Sequence, residues 1–463
     1  MDSNLPFTVE QVKQSLLTCQ NEIPLMNILN SEECRKILNA CPCFRDRIYT
    51  PVITLAMFIK QVLNPDKSCK AAVIRTAIDE YNAGEKEIGT STGSYCKSRL
   101  RLQEESIKEL VKETGRLSVE KAPAKWMLYN RPLKVIDGST VRMPDTKANQ
   151  EIYPQDNSQK EGLGFPIMRF VVIMSLTTGA ILDYAEAAYK GKGTGESSLL
   201  RSIMDCIVKD DILVADRYYP SFFLMADLQK RSADGIFHGQ SQRNYDFRQG
   251  EHLEKNDHIV KWKKPSRPEW MSREEYVAYP SEIRVREFKS SGNIYVTTFL
   301  NHKEYRKEDL VKAYKRRWEV EINLKNIKST IKMDMLSCKS PDMVKKELGV
   351  HFIAYNIIRI IMVEACAKHG AEPWKISFKG AVQLINASIP HYIKSSANEH
   401  QNMYAKMLAL MVKNKVGNRP GRVEPRKVKR RPKPYALLAQ PRMNERVRLM
   451  RIRKQGGLRH VAA

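Results

Sequence analysis

Helical spacing dominates the first part of the chain. Apolar side chains recur every three or four positions in residues 9–17 and again in residues 51–63, which is typical of helices with one buried face. The sequence Asn64-Pro65-Asp66 ends the second helix, and a third helix begins after Ser68. The pattern therefore predicts a helical N-terminal domain over residues 1–110.

The pattern changes after residue 132, where short apolar runs replace helical spacing. The predicted strands are 133–136, 170–176, 180–188 and 212–215, and Thr177-Thr178-Gly179 is the turn of a hairpin. Predicted helices over 196–204 and 221–230 lie before and after the last of these strands. This order of elements is typical of an α/β fold with a buried sheet.

Residues 240–292 are polar and rich in proline and tryptophan, and a β-rich run over 294–300 follows them. We interpret residues 240–300 as a β-rich insertion in a catalytic core that spans residues 130–335. One long helix is predicted from residue 307 to about 332, and a helical region over 340–415. The apolar residues 350–367 include charged side chains and are predicted to form a buried helix, not a membrane span.

The charge of the chain indicates a polyanionic partner. Lysine and arginine number 78 against 52 acidic residues, a net charge of +26, and nucleic acid is the usual partner of such a surplus. The hydroxyls of loop 89–94 and the bases of residues 95–101 suit phosphate contacts, so the N-terminal domain is predicted to bind DNA, although a plain helical bundle explains the pattern equally well. Residues 416–463 form a basic arm, which we expect to be extended and ordered only on nucleic acid.

Two absences in the sequence narrow the class of protein. The first six residues lack the basic and apolar blocks of a signal peptide, so we expect a cytoplasmic protein without a membrane partner. The nine cysteines form no Cys-x-x-Cys pair, and no histidine occurs in the first 237 residues. A zinc finger near the N-terminus is therefore not expected.

Three acidic residues, Asp137, Asp216 and Glu321, are candidate metal ligands. Asp137 and Asp216 each follow an apolar strand, which is the edge at which α/β sheets place their ligands. At 100° per residue, Tyr314, Arg317, Glu321 and Lys328 fall within about 60° of one helix face, with Lys325 beside them. A solvated stripe of charges is the alternative for the helix alone, but three hard oxygen ligands favour a site for two Mg²⁺ or Mn²⁺ ions.

These residues resemble a known signature. The spacing Y-x2-R-x3-E-x6-K in residues 314–328, the sequence Asp137-Gly138-Ser139 and the sequence Ala215-Asp216-Arg217-Tyr218 are similar to bacterial insertion-sequence transposases of the DDE class, in the subgroup called insertion-sequence family four. The resemblance implies a ribonuclease H-like catalytic core with a β-rich insertion, a helical N-terminal domain and a helical and basic C-terminal region.

The resemblance also implies roles. Asp137, Asp216 and Glu321 would hold the metal ions, and the cations and the tyrosine of the helix would hold phosphates. The reaction would be cut-and-paste transposition: hydrolysis at the element's ends, then attack by the freed 3′-hydroxyl, with a hairpin intermediate. The partners would be the terminal inverted repeats and target DNA, bound by a homodimer on paired ends. Trp262 and Trp270 are candidates for stacking on a flipped base, but a buried insertion core explains them equally well.

Other functions use the same residues. A ribonuclease H-like nuclease or resolvase would cut DNA without strand transfer, and a repressor derived from a transposase would only bind it. The presence of all three acids argues against the repressor. Glu196, at the start of a predicted helix, could support the metal site, but stabilisation of the helix dipole is the favoured role.

Overall fold

A computed structural model describes residues 24–41, 48–82, 89–392, 397–417 and 440–454 of the chain. The predicted helix over 9–17 and most of the basic arm lie outside these residues. The described helices, in chain order, are α1 (Pro24–Leu29), α2 (Glu32–Asn39), α3 (Pro51–Leu63), α4 (Cys69–Asn82), α5 (Gly93–Arg101), α6 (Glu104–Glu120), α7 (Lys147–Ile152), α8 (Glu196–Ser202), α9 (Phe222–Lys230), α10 (Arg273–Ala278), α11 (Lys307–Lys315), α12 (Trp318–Lys325), α13 (Pro341–His369), α14 (Phe378–Tyr392), α15 (Ala397–Lys413) and α16 (Arg442–Lys454).

One mixed sheet runs through the middle of the described structure. Its strand order is β3-β2-β1-β4-β5-β9-β8-β7-β6. Strands β1, β4 and β5 are parallel, whereas the other neighbouring pairs are antiparallel. The strands are β1 (Leu133–Arg142), β2 (Ile167–Ser175), β3 (Ile181–Ala188), β4 (Ile212–Ala215), β5 (Asp234–His238), β6 (Glu251–Glu254), β7 (Asp257–Lys263), β8 (Glu282–Ser290) and β9 (Asn293–Thr297).

The two faces of the sheet are covered by different helices. In β4, Ile212 and Val214 belong to a hydrophobic cluster shared with α6, α12 and α13, whereas Leu213 and Ala215 belong to a cluster shared with α8 and α9. Alternation along the strand produces this division, because successive side chains point to opposite faces. The predicted continuous apolar run of a central strand is therefore confirmed.

Helix α13 is the centre of the larger cluster. It is long and apolar enough to cross a membrane by length and composition, but 89% of its most apolar window is buried against the rest of the protein. The prediction of a buried helix over 350–367 is confirmed. Helices α3, α6 and α15 pack on it, so the N-terminal helices, the sheet and the C-terminal helices share one core.

Close backbone contact and a buried amide fix α6 and α13 against β3. Gly115 in α6 has no side chain, and a Cβ there would lie 2.3 Å from the carbonyl oxygen of Ile181. The fully buried Asn356 donates to the carbonyl oxygens of Val111 and Ile181 at 3.1 and 2.8 Å, and it accepts from the Ile181 N–H at 2.8 Å. This one side chain joins two helices to an edge strand.

Three predictions about elements need correction. The helix predicted from 307 to about 332 is broken at Arg316 and Arg317, where backbone bonds span three residues instead of four, and it ends in a π-helical turn over 326–330. Strand β1 continues to Arg142, well beyond the predicted end at residue 136. The predicted extended arm contains helix α16, whose first residue, Arg442, forms an ion pair with Asp145 at 2.8 Å.

We expect Asn356→Ala to lower the free energy of unfolding by about 2–4 kcal/mol, because it removes buried hydrogen bonds to Ile181 and Val111. Urea denaturation measures this difference. The matched control is Asn402→Ala on the exposed face of α15, which should change stability by less than about 0.5 kcal/mol. Equal stabilities of the two variants would contradict the role given to Asn356.

Candidate active site

The register of two parallel strands brings Asp137 beside Asp216. Leu133 pairs with Ile212 and Val135 with Val214, a constant offset of 79 residues. The separation of the two acids is also 79 residues (216 − 137), so the same register extended by two positions aligns them. Adjacent strands lie about 5 Å apart, and aligned side chains point to the same face. The register therefore aligns the two acids just beyond the paired parts of β1 and β4.

Asp216 and Asp137 have different backbone positions relative to their strands. Asp216 follows the last residue of β4 and turns the chain, because its Oδ1 accepts a hydrogen bond from the Tyr218 N–H at 2.8 Å. Asp137 lies in the middle of β1, which continues beside β2, whereas its other edge pairs with β4 only as far as Val135 and forms a further bridge at Arg142. The prediction that Asp137 ends its strand was wrong, although the pairing with β4 ends two residues before it, at Val135.

Helices α11 and α12 bring the third acid to the same face. Val320 and Leu324 pack into the cluster on the α13 side of the sheet, the side to which Asp137 points by alternation. Arg317, directly before α12, donates from its guanidinium to Glu321 Oε1 at 3.0 Å. The break at 316–317 places this arginine at the joint between the two helices, where 14% of its side chain is exposed.

The remaining signature residues lie around these acids. Tyr314 is partly buried against His238 and Tyr295, and the charge of Asp216 contributes to a raised pKa of its phenol, after the larger effect of burial. Lys328 donates to the Ser139 hydroxyl at 3.0 Å, two residues beyond Asp137. Lys325 is exposed. The structure therefore brings the signature side chains toward the edge formed by β1 and β4.

The site concentrates negative charge. Burial raises the pKa of the Asp137 carboxyl to about 6, and the carboxylates of Glu196 and Glu321 act in the same direction. The Gly138 N–H, which donates to Asp137 Oδ1 at 2.9 Å, and the guanidinium of Arg317 oppose the rise. A cation near these carboxylates would relieve both the repulsion and the cost of burial.

Glu196 is a fourth acid at this edge. A Cβ at Gly138 would lie 2.6 Å from the Glu196 carboxyl carbon, so only a glycine lets this side chain approach β1 so closely. The buried Tyr219 donates its hydroxyl to Glu196 Oε2 at 3.2 Å. The sequence analysis favoured a helix-dipole role for this glutamate. The signal in the sequence for the position of Glu196 was the glycine directly after Asp137, together with an acidic residue in the segment after β3.

The residues fit divalent cations by their chemistry, because Mg²⁺ and Mn²⁺ prefer carboxylate oxygens. Across the described residues, however, no three histidine, cysteine or acidic side chains form a ready-made metal cage. One oxygen of Glu321 is held by Arg317. The arrangement is therefore that of an open site whose carboxylates share an edge of the sheet.

Comparison with known proteins identifies the class. Residues 129–357 match the model of the transposase DDE domain family, a range that includes Asp137, Asp216 and Glu321. The chain is 23% identical over 351 residues to transposase InsG for insertion sequence element IS4 from Escherichia coli K12, which covers 74% of this chain and 77% of that protein. The chain carries a transposase DDE domain and is a DNA transposase.

Other similarities are narrower or weaker. The transposase for insertion sequence element IS421 from Escherichia coli is 26% identical over 76 residues, 16% of this chain and 20% of that protein. A cryo-EM structure of the piggyBac transposase synaptic complex with hairpin DNA covers 88% of this chain and 87% of its own at 8% identity, with a TM-score of 0.41. A likeness at that level carries no weight for fold or mechanism. As a DNA transposase, this chain catalyses DNA cleavage and strand transfer.

The two tryptophans of the insertion have different surroundings in this transposase. Trp262 is 3% exposed, its indole N–H donates to Glu287 Oε1 at 2.7 Å, and the guanidinium of Arg243 lies 3.5 Å above its ring. Trp270 is 47% exposed and lies under the guanidinium of Arg201 at 3.7 Å. These contacts favour the insertion-core alternative for Trp262 and leave Trp270 accessible.

We expect Asp137→Asn to stabilise the metal-free transposase above about pH 6. The folded-state pKa of about 6 lies above the ordinary value of 3.8, so the wild-type free energy of unfolding should fall as the pH rises from about 4 to about 6, and then stay level. The difference of about two units corresponds to about 3 kcal/mol, a cost that the amide avoids. Urea denaturation in EDTA between pH 4 and pH 8 measures it.

The control is Asp205→Asn, because the Asp205 side chain is fully exposed. This exposed substitution should change the free energy of unfolding by less than about 0.5 kcal/mol. Other buried acids titrate in all three proteins and cancel in the comparison. A constant difference between wild type and Asp137→Asn from pH 4 to pH 8 would contradict the burial of an ionisable carboxyl at this position.

Proposed function

We propose that this transposase moves an insertion sequence by cut-and-paste transposition, with Asp137, Asp216 and Glu321 as the ligands of two Mg²⁺ or Mn²⁺ ions. The observation that carries the proposal is the register of β1 and β4, which aligns Asp137 with Asp216 on the side of the sheet that faces the helix of the third acid. When bound, such ions activate the attacking oxygen and stabilise the leaving oxygen of a phosphodiester. The order β3-β2-β1-β4-β5, with β2 antiparallel to β1, supports a ribonuclease H-like core.

The other signature residues hold the substrate. Arg317 lies between Glu321 and Tyr314, so its guanidinium can exchange a carboxylate oxygen for a phosphate oxygen without a long movement. Lys328 is fixed by Ser139 beside the first acid and can bind the next phosphate along the strand. Lys325, exposed on the same helix, extends the positive surface outward.

The strand chemistry follows from the family. Water attacks the phosphorus at each end of the element, the bond from phosphorus to the 3′ oxygen breaks, and the freed 3′-hydroxyl then attacks the opposite strand to give a hairpin. The reopened ends join target DNA in the same way. A homodimer on paired terminal inverted repeats would hold both ends, the helical N-terminal domain would bind DNA, and the cell compartment would be the bacterial cytoplasm.

Trp270 is the better candidate for a flipped base beside such a hairpin. Its neighbour Arg201 lies in α8, five residues and therefore about 8 Å along the helix from Glu196 at the site's edge. An exposed indole at this distance can stack on a base turned out of the duplex. Trp262 would act indirectly, by stabilising the insertion that carries Trp270.

We expect Glu321→Ala to retain DNA binding and to lower the cleavage rate by about a thousand-fold or more, because the loss of a metal ligand removes several kcal/mol of transition-state stabilisation. Incubation with a duplex that carries an end of the element and Mg²⁺ measures products on a denaturing gel. The control is Glu319→Ala in the same helix, whose carboxylate binds Arg316 instead. This variant should cleave at nearly the wild-type rate.

The products decide between the two catalytic functions. Hairpins and strand-transfer products from the wild type would support transposition, whereas nicks alone would favour the nuclease or resolvase. Cleavage by Glu321→Ala at the wild-type rate would show that the assignment of the metal ligands is wrong.

We expect substitutions of Trp270 and Trp262 to have different effects on hairpin formation and on stability. Trp270→Ala should leave the free energy of unfolding within about 1 kcal/mol of wild type and should reduce hairpin formation more than the first nick. Trp262→Ala should lower the free energy of unfolding by about 3–5 kcal/mol, since it empties a buried site and leaves Glu287 without its donor. Equal hairpin yields from Trp270→Ala and wild type would remove Trp270 from this role.

A further inference from the structure

A second feature lies beside the candidate active site and shares Lys328 with it. An open groove of about 1360 Å³ separates the N-terminal helices from the segment after the signature helix. One wall is formed by the end of α3, the loop to α4 and one residue of α5, and the other by residues 328–343. We call it the cationic groove; its lining residues are Gln61, 65–69, Arg99, Lys328, Ser329, Lys332, 334–335, 337–340 and Met343.

Positive charge exceeds negative charge along this groove. Five cations line it against two acids, Asp66 and Asp334, and one of these acids accepts a backbone hydrogen bond from Ser68 at 2.9 Å. The five cations are Lys67, Arg99, Lys328, Lys332 and Lys339. The volume is larger than the 300–1,000 Å³ of usual small-molecule sites, and the groove is open to solvent. An extended anion suits it better than a small one.

Two helix N-termini also open into the cationic groove. Helix α4 begins at Cys69 and α13 begins at Pro341, and residues at both starts line the groove. The hydroxyl of Ser340, at the N-cap position of the 29-residue α13, makes no capping hydrogen bond. The first backbone N–H groups of a helix carry partial positive charge, so both ends favour phosphate in the groove.

A buried guanidinium supplies an independent observation. Arg99 is 8% exposed, and its Nε has no hydrogen-bond partner although the atom is buried. Its terminal nitrogens donate to Gln61 Oε1 at 3.3 Å and to Cys69 Sγ at 3.1 Å. The Gln61 oxygen also accepts from the Tyr95 hydroxyl, and the thiol sulfur is a weak acceptor for a charged donor. A buried cation without a carboxylate partner is costly unless an anion approaches it.

The cationic groove continues directly from the active site. Lys328 lines it and also donates to Ser139, which is two residues, about 7 Å, from Asp137 along β1. Lys67 donates to the carbonyl oxygen of Lys332 and so joins the two walls at one point. A strand bound at the acids would enter the groove after one or two nucleotides.

We infer that the cationic groove binds the phosphate backbone of the DNA strand as it leaves the active site past Lys328, and so couples the N-terminal helices to the catalytic core. The inference rests on the proposed function, since the ligand is the substrate of that site. The contacts are to phosphates and not to base edges, so they depend on salt and do not depend on sequence.

The test is the salt dependence of DNA binding by the full chain in EDTA, which prevents cleavage. The probe is a fluorescein-labelled 40-base-pair duplex of arbitrary sequence, titrated between 50 and 300 mM NaCl. The groove variant is Lys332→Asn/Lys339→Gln, because Lys332 has a positive φ of 53° that asparagine tolerates. The control is Lys209→Ala/Lys368→Ala, with the same loss of charge; Lys368 lies about 40 Å along α13 from the groove.

The groove variant should lower the slope of log K against log salt by roughly 1.5 to 2, one phosphate contact for each lysine, while the control should lower it by less than about 0.5. Thermal melting should show all three proteins equally folded. Equal slopes for the groove and control variants would overturn the inference while DNA binding, and with it the proposed function, survived. If the wild type failed to bind the duplex at all, both would fall.

Discussion

The structure depends on holding like charges together at one edge of the sheet. The register of β1 and β4 places two carboxylates side by side, α12 adds a third, and the glycine after the first admits a fourth. Such a cluster opposes folding in the absence of cations, because burial of a carboxylate and its repulsion by neighbouring carboxylates both disfavour the charged form. Arg317 is the main counter-charge that the described chain itself supplies at Asp137.

Buried polar contacts hold the elements that support this cluster. Helix α12 is held from behind by Arg359 of α13, whose guanidinium donates to the buried Asn323 and to Tyr355 Oη at 2.8 Å. The same guanidinium lies against Gly179 in the β2–β3 turn, where a Cβ would come within 2.8 Å of it. This long, buried helix therefore carries polar contacts that join the signature helix to the hairpin. Its apolar composition reflects burial on all sides.

The sequence predicted those features that depend on local chemistry. The hairpin at Thr177-Thr178-Gly179, the central strand over 212–215 and the helix after Ser221 all have short-range signals, and each is present. The break at Arg316 could not be predicted, because every residue around it favours a helix. The break coincides with a long-range contact, because Arg316 donates to the carbonyl oxygen of Leu176, 140 positions away in the chain. The extension of β1 beyond Asp137 likewise depends on its distant partner β2.

Residues 240–300, the proposed β-rich insertion, share one sheet with the strands that carry the acids. Strand β9 pairs with β5, so the insertion continues the catalytic sheet as one structure with it. Its interior contains buried polar contacts. The Nε and one terminal nitrogen of Arg286 donate to the two carboxylate oxygens of Asp257. Glu287 accepts a hydrogen bond from the Trp262 indole and lies 3.2 Å from His258. Buried charges of this kind contribute little net stability, but any slip in the register of β7 and β8 would separate them. The network therefore fixes the one register that places Trp270 over α8, next to the edge where the carboxylates meet.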